Sequence, residues 1–179
     1  MQDKNIALKI VEHFLENRQK GIILEIGPGE GMLTQLLMEK AAEYLYVIEK
    51  DKESVVHLKQ KYPEFSHKII DGDFLQFDLN NLNSDNISII GNFPFNISSL
   101  ILFRILQYRD KVDYCCGMFQ KEVAERVASP PGNKEYGLTS VLMQAFFDLK
   151  YLFTINETVF RPQPKVKSGV LEIKRNLQK

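Results

Sequence analysis

A short run of β-branched and apolar residues leads directly into a glycine-rich turn, and a helical pattern follows. The run covers residues 21–26, the turn reads Gly27-Pro-Gly-Glu-Gly31, and the helical pattern covers residues 32–40. Strand, glycine turn and helix in this order are typical of the first unit of an α/β domain. Glycines also allow the backbone to approach a ligand closely, with the amino terminus of the helix facing it.

The alternation of strand and helix patterns continues along the chain. Apolar residues at helical spacing after Asp3, which stands at an N-cap position, predict a first helix. The other helices are expected at Lys52–Lys61, Ser98–Gln107, Lys121–Ala128 and residues 139–147, and the other strands at residues 44–48, 68–70, 87–90, 113–120, 150–154 and 169–173. This order predicts a mainly parallel sheet with helices on both faces, in which ligands bind at the carboxyl ends of the strands.

Composition limits the class of protein. With 179 residues, 44% of them hydrophobic, the chain can bury one large core but not two. Its 23 basic and 23 acidic residues balance, so any contact with nucleic acid must come from a local patch. Cys115 and Cys116 are adjacent in an apolar run, which suits neither a disulfide nor a metal site, and no apolar stretch approaches 18 residues. We expect a cytoplasmic monomer without a metal and without a membrane segment.

Acidic residues follow the next two expected strands. Glu49, about 20 residues beyond the glycines, can accept hydrogen bonds from both hydroxyls of a ribose. Asp73 can accept one from an adenine amino group, with Phe74 packed nearby. Taken alone, the glycine turn also fits an ordinary strand-to-helix turn, Glu49 a solvated charge at a strand end, and Asp73 a simple turn aspartate. The glycine spacing is G-x-G-x-G, and an acid at position 49 is common to nicotinamide and S-adenosylmethionine binders, so these residues leave the cofactor open.

The tetrapeptide Asn92-Phe93-Pro94-Phe95 after the fourth strand contains the groups that methylation of a base amino group requires. The lone pair on adenine N6 is delocalised into the ring, so this nitrogen is a poor nucleophile. The Asn92 side-chain carbonyl and a neighbouring backbone carbonyl can accept its two hydrogens, while Pro94 stiffens the loop. Phe95 offers a face on which an unpaired base can stack. A turn that closes a strand remains the simpler alternative for the tetrapeptide taken alone.

Six segments match the sequence pattern of one group of methyltransferases. They are Glu25-Ile-Gly-Pro-Gly-Glu-Gly-Met-Leu-Thr34, Gly72-Asp73, Gly91-Asn-Phe-Pro-Phe-Asn-Ile-Ser98, Gln120-Lys-Glu-Val123, Tyr136-Gly137 and Phe160-Arg-Pro-Gln-Pro-Lys-Val-Lys-Ser168. Through them the chain resembles the ribosomal RNA adenine dimethyltransferase family, the KsgA group, with the Erm resistance methyltransferases as close relatives. The resemblance covers essentially the whole chain.

The resemblance implies a Rossmann-like class I methyltransferase fold, a mainly parallel seven-stranded sheet with an antiparallel strand near the C-terminus. It also implies transfer of methyl groups from S-adenosylmethionine, leaving S-adenosylhomocysteine, to N6 of two adjacent adenines near the 3′ end of small-subunit ribosomal RNA. The implied cofactor-binding residues are Glu25, Gly27, Gly29, Glu49, Lys50, Asp73, Phe74 and Asn92. The implied catalytic residues are Asn92, Phe93, Pro94 and Phe95, and Phe95 and Phe160 line the substrate pocket.

Three departures from the family pattern qualify these expectations. Phe95 stands where the family usually has Tyr, so stacking survives but a hydrogen bond does not. The chain starts at Met1-Gln2-Asp3, inside the motif that forms part of the cofactor lid, and it stops at Lys179, before the small helical RNA-binding domain. Residues 1–179 are therefore expected to be a methyltransferase domain that binds ribosomal RNA weakly by itself.

Other functions remain open at this point. An Erm-like enzyme acting on large-subunit RNA is the alternative within the class, and a truncated module that binds cofactor with little activity is another. A nicotinamide oxidoreductase would explain the glycines and Glu49 but not Asn92 to Phe95. A phosphate-binding rim is a further hypothesis, and its candidate residues are Lys121, Arg126, Lys134, Arg161, Lys165 and Lys167.

Overall fold

The computed structural model describes residues 3–178, which form one sheet with helices on both of its faces. The strands are β1 (Ile22–Ile26), β2 (Leu45–Glu49), β3 (Ile69–Asp71), β4 (Ile87–Asn92), β5 (Val112–Gln120), β6 (Phe147–Ile155) and β7 (Ser168–Arg175). The α-helices are α1 (Lys4–Asn17), α2 (Met32–Ala41), α3 (Lys52–Lys61), α4 (Ser98–Gln107), α5 (Lys121–Ala128) and α6 (Leu138–Gln144). Short 3₁₀ turns lie at Pro63–Lys68, Leu79–Asn81, Phe95–Ile97 and Glu157–Val159.

The seven strands are ordered β3-β2-β1-β4-β5-β7-β6. Neighbouring strands from β3 to β5 are parallel, whereas β7 runs antiparallel to both β5 and β6. This arrangement confirms the expected mainly parallel sheet with an antiparallel strand near the C-terminus. Because the strand order reverses between β1 and β4, a crevice opens at their carboxyl ends, the usual position of a ligand in such a sheet.

Each face of the sheet is covered by its own set of helices. On one face α1, α2 and α3 contribute Phe14, Leu37 and Leu58 to a buried cluster. On the other face α4, α5 and α6 contribute residues such as Leu102 and Met143. The short apolar runs of β1 and β4 therefore face protein on both sides, which explains their lack of polar alternation.

Local signals position the helix starts as predicted. The Asp3 carboxylate accepts hydrogen bonds from the backbone amides of Asn5 and Ile6, at 2.9 and 3.1 Å, and so caps α1. Asp51 caps α3 in the same way through the amide of Ser54 at 2.8 Å. The latter cap fixes the turn that immediately follows Glu49.

Most boundaries shift by one to three residues, and at one of them the type of element changes. The helix expected over residues 139–147 ends at Gln144, and Phe147 begins β6 instead. Phe147 is fully buried and is paired with Arg175 of β7. The local apolar pattern fits either conformation, and pairing with a distant strand decides between them.

A membrane-spanning helix is not found between residues 3 and 178, where every helix is too short or too polar for that role. Met1, Gln2 and Lys179 lie outside the described residues, so the prediction for the amino-terminal lid motif concerns a part of the chain that the structure does not describe.

Candidate active site

The carboxyl ends of β1, β2 and β4 meet at one edge of the sheet. The amide of Gly27 donates to the carbonyl of Ile48 at 3.0 Å, and Gly91 is the register partner of Ile26. The glycine turn, the end of β2 and the tetrapeptide after Gly91 are consequently held side by side. The sequence placed these segments at strand ends, and the sheet brings them together.

The glycine turn depends on backbone conformations that favour glycine. Gly27, Gly29 and Gly31 have φ values of 63°, 55° and 82°, all in the left-handed region. A side chain at Gly27 or Gly29 would meet no heavy atom within 4 Å, so conformation rather than crowding requires glycine there. The open space beside both residues is available to a ligand.

Glu25 carries a carboxylate into the interior beside this turn. The residue is 1% exposed, and neither carboxylate oxygen accepts a hydrogen bond from the described residues. Burial raises the pKa of the Glu25 carboxyl to about 8, and the neighbouring Glu49 charge contributes to this rise. Thr34 has the opposite, lowering effect, although its hydroxyl is not in hydrogen-bonding geometry. Glu25 lines a cavity of about 70 Å³ with Gly27 and Asn92, and a cationic group there would satisfy the carboxylate.

Glu49, the last residue of β2, is half-buried, and one of its two carboxylate oxygens is already hydrogen-bonded. Its Oε1 accepts a hydrogen bond from the amide of Asp51 at 2.8 Å, which fixes the side chain at the start of the turn. The described residues make no hydrogen bond to Oε2. A carboxylate oxygen held in place next to a cavity is suited to accept from a hydroxyl group.

Asp73 lies after the neighbouring strand β3. Its Oδ1 accepts from the amide of Leu75 at 2.9 Å, and its Oδ2 accepts from Nζ of Lys50 at 2.8 Å. The Lys50 hydrogen bond, with a smaller effect of Leu75, holds the pKa of the Asp73 carboxyl below its usual range. Phe74 is 5% exposed and belongs to the core that also contains Ile48, so its ring contributes packing beneath the turn.

The tetrapeptide that starts with Asn92, the last residue of β4, is anchored to the core by Phe93. This ring is 1% exposed and packs against Phe119 with 4.7 Å between centroids. A Cβ atom at Gly91 or Gly117 would lie 2.7 or 2.2 Å from the ring, so both glycines make room for it. The Phe93 side chain is therefore enclosed by protein, and only its backbone is placed to contact a substrate.

Asn92, Pro94 and Phe95 surround the accessible part of the site. Asn92 is half-buried, and within residues 3–178 its side-chain amide has no hydrogen-bond partner. Phe95 is half-buried and Pro94 is exposed. Phe160, 7% exposed, faces the same space from the segment between β6 and β7.

A cavity of about 560 Å³ connects these groups. It is lined by Gly27, Gly29, Glu49, Asn92, Phe93, Pro94, Phe95, Phe160, Arg161, Pro162 and Pro164. Residues expected to bind a nucleoside and residues expected to hold a base thus share one space. Asp73 and Phe74 do not line it; they follow β3, which is one strand further from β1 and β4 than β2 is.

The prolines that follow Phe160 were missed as site residues. Pro162 and Pro164 form part of the cavity wall, and the Arg161–Pro162 peptide bond is cis. The repeated prolines of residues 160–166 were the available signal, since a rigid loop beside a pocket is a common use of proline.

Of the six basic candidates for a phosphate-binding rim, Arg161 lines the cavity, whereas Lys121 is paired with Glu125 at 3.0 Å.

The described residues contain no group of three or more His, Cys, Asp and Glu side chains placed to hold a metal ion. Cys115 and Cys116 are buried in β5, and burial raises the pKa of both thiols. His13 lies outside the site, where its Nε2 is hydrogen-bonded to Glu172.

Comparison with known proteins places the chain among RNA methyltransferases. The family model described as ribosomal RNA adenine dimethylase matches residues 1–179. A protein of Cytophaga hutchinsonii described as ribosomal RNA small subunit methyltransferase A is 50% identical over 176 residues, 98% of this chain and 68% of that protein. One of Parabacteroides distasonis with the same description is 50% identical over 179 residues, 100% of this chain and 66% of that protein. The chain thus spans about two thirds of the length of these relatives.

Among solved structures, that of the 23S rRNA methyltransferase ErmE has a TM-score of 0.85 at 24% identity. The match covers 99% of this chain and 70% of ErmE. This similarity confirms the Rossmann-like class I methyltransferase fold.

Proposed function

The chain belongs to the ribosomal RNA adenine dimethylase family, and on this basis we propose that it methylates N6 of two adjacent adenines near the 3′ end of small-subunit ribosomal RNA. The observation that carries the proposal is the single cavity of about 560 Å³ in which Gly27 and Glu49 lie together with Asn92 and Phe95. One space lined by both sets of residues allows a methyl donor and a base to meet in a fixed relative position.

The donor site fits S-adenosylmethionine. The unpartnered Glu25 carboxylate is suited to the ammonium group of the methionine end, and the glycine turn leaves room for that end to approach the backbone. Oε2 of Glu49 accepts from the ribose, and Asp73 accepts from the adenine amino group. When bound, this cofactor supplies an already activated methyl group on a cationic sulfonium.

Asn92 at the end of β4 and the residues that follow it position the acceptor nitrogen. The Asn92 side-chain oxygen accepts a hydrogen bond from one N6–H group, and a backbone carbonyl of the tetrapeptide accepts one from the other. These two hydrogen bonds direct the nitrogen lone pair away from the ring and toward the methyl group. Phe95 stacks on the flipped adenine, and Phe160 closes the pocket on its other side. Phe93 and Pro94 keep the loop rigid, so these residues act by positioning and need no metal or covalent nucleophile.

The partners follow from this assignment. We expect the chain to act on the small ribosomal subunit as a cytoplasmic monomer, with residues 1–179 serving as its methyltransferase domain. The basic residues on the catalytic side, Arg161 first among them, contact phosphates of the bound RNA.

Calorimetric titration of the chain with S-adenosylmethionine, S-adenosylhomocysteine and NAD tests the cofactor. Binding of the two adenosyl ligands without NAD supports the proposal, while binding of NAD alone overturns it.

Transfer of tritium from labelled S-adenosylmethionine to unmethylated ribosomal subunits then tests the substrate. Incorporation into small subunits as N6-dimethyladenine is the expected result. Incorporation into large subunits instead would establish an Erm-like enzyme, and cofactor binding without incorporation into either would leave a cofactor-binding module.

A further inference from the structure

An ion pair joins the loops that follow β2 and β3. Nζ of Lys50 lies 2.8 Å from Oδ2 of Asp73, across 23 positions of the sequence. The two loops are also joined through their backbones, because the amide of Gly72 donates to the carbonyl of Glu49 at 2.9 Å. The pair therefore lies on a fixed frame beside the expected position of the adenosine.

Asp73 is held from two sides. The amide of Leu75 binds Oδ1 and Lys50 binds Oδ2, so the plane of the carboxylate is set before a ligand arrives. Each carboxylate oxygen can accept a further hydrogen bond. Fixing an acceptor in advance lowers the entropic cost of recognising a donor such as an amino group.

Asp73 follows an edge of the sheet that carries several other acidic residues. Glu49 and Asp71 are register partners at the same edge of the sheet, and Asp51 follows in the next turn. The Asp73 carboxyl, whose pKa lies below its usual range, is ionised at neutral pH, so the contribution of Lys50 to recognition is to fix Oδ2 in position. Lys50 is the basic residue bonded to this group.

We propose that Lys50 is a positioning residue for adenine recognition, which holds the Asp73 carboxylate oriented toward the 6-amino group of the cofactor. This inference rests on the proposed use of S-adenosylmethionine, and it assigns to Lys50 an effect on purine selectivity that acts through Asp73. The Lys50 side chain is 75% exposed, and exposed ion pairs contribute little to folding. Its effect is therefore expected in ligand binding and not in stability.

The test compares affinities for S-adenosylhomocysteine and for its analogue with hydrogen in place of the 6-amino group. Lys50→Met keeps the aliphatic stem and removes the charge, and Lys50→Arg restores the charge. Lys52→Met is the matched control at an exposed lysine two positions further along the chain. We expect Lys50→Met to weaken S-adenosylhomocysteine by about fivefold to tenfold and to leave the analogue unchanged. Lys50→Arg should recover most of the affinity, and thermal unfolding should be the same for all variants.

A double-mutant cycle identifies the residue through which Lys50 acts. In an Asp73→Asn background, Lys50→Met should have no further effect on S-adenosylhomocysteine affinity. Equal weakening of both ligands, or the same loss with and without Asp73, would overturn the inference while leaving the proposed function intact. If the wild-type chain binds neither adenosyl ligand, the proposed function itself fails and the inference fails with it.

Discussion

At the scale of single residues, the site is dominated by one buried acid. Glu25 lies between the glycine turn and Asn92 with both carboxylate oxygens unpartnered among the described residues. An unsatisfied buried carboxyl group is costly to ionise and is kept neutral at neutral pH in the ligand-free protein. The side chains of the nearby acids differ from Glu25 in burial, because Glu30 is exposed and Glu49 is only half-buried.

The first prediction concerns the pH dependence of stability. The Glu25 pKa is about 8 in the folded chain against an ordinary value of 4.5, so below pH 4.5 both states hold the proton and burial carries no ionisation cost. Between these values only the unfolded chain releases the proton, so the free energy of unfolding falls as pH rises, by up to about 1.4 kcal/mol per pH unit. The stability of Glu25→Gln should therefore be closest to that of the wild type near pH 5 and exceed it increasingly toward pH 9.

Urea unfolding at pH 5, 7 and 9 measures this difference. The exposed Glu30→Gln variant, in the same turn, is the control and should follow the wild type at each pH. A constant difference between Glu25→Gln and the wild type across this range would contradict the burial argument.

The second prediction separates base stacking from cofactor binding. Phe95→Ala should retain affinity for S-adenosylhomocysteine and lose about fivefold to 150-fold in kcat/KM for RNA, because stacking contributes roughly 1–3 kcal/mol per base. Phe95→Tyr keeps the ring and should stay active. Calorimetry and methyl transfer to small subunits are the two measurements, and a parallel loss of both in Phe95→Ala would instead indicate a general loss of structure.

At the scale of elements, the loop between β4 and α4 is positioned by the sheet below it. Phe93 fills the space that Gly91 and Gly117 leave open, and it connects the loop to Phe119 of β5. The accessible groups of the loop are thus held by a side chain that cannot itself reach a base. A rigid anchor of this kind is what positioning catalysis requires.

The third prediction tests this anchor. Phe93→Ala should destabilise the fold by roughly 3–5 kcal/mol, the usual cost of removing a buried Phe. Gly117→Ala should also be destabilising, because its Cβ would lie 2.2 Å from the Phe93 ring. Combining Gly117→Ala with Phe93→Leu should recover part of that loss.

Urea unfolding gives the stabilities, and Phe103→Ala on α4, 39% exposed, is the matched control with little expected cost. Strict additivity of the two changes at positions 93 and 117 would show that the ring and the glycine do not interact.

At the scale of the whole molecule, the numbers of basic and acidic residues balance, while the candidate site residues lie together at one edge of the sheet. The 23 basic and 23 acidic residues produce no overall attraction for RNA, so contacts near the cavity must provide it. Among the described residues that line the larger cavity, Arg161 is the only basic one. The affinity of the chain for RNA should accordingly depend weakly on salt.

The fourth prediction follows from that distribution. Arg161→Gln should weaken RNA binding and lower the slope of log affinity against log salt by about one. Affinity for S-adenosylhomocysteine should be unchanged. Fluorescence anisotropy with a labelled small-subunit RNA hairpin over a range of KCl concentrations measures the slope, and Lys52→Met serves as a control cation away from the cavity. An unchanged slope would mean that Arg161 contacts no phosphate.

The sequence by itself determined the order of the elements and the residues that stand at the strand ends. Capping by Asp3, the left-handed turn at Gly27 and the β-branched runs act over a few neighbouring residues, so local patterns were sufficient to predict them. The same patterns could not separate helix from strand at Phe147, where pairing with Arg175 decides.

Only the tertiary structure decided which candidate side chains face a ligand. Phe93 and Phe74 lie in the sequence motifs beside Asn92 and Asp73, yet both rings are buried, and the depth of Glu25 depends on helices and strands packed around it. The Lys50–Asp73 pair spans 23 positions and forms because β2 and β3 are neighbours. Burial and pairing of this kind arise from long-range contacts, which no local pattern of residues contains.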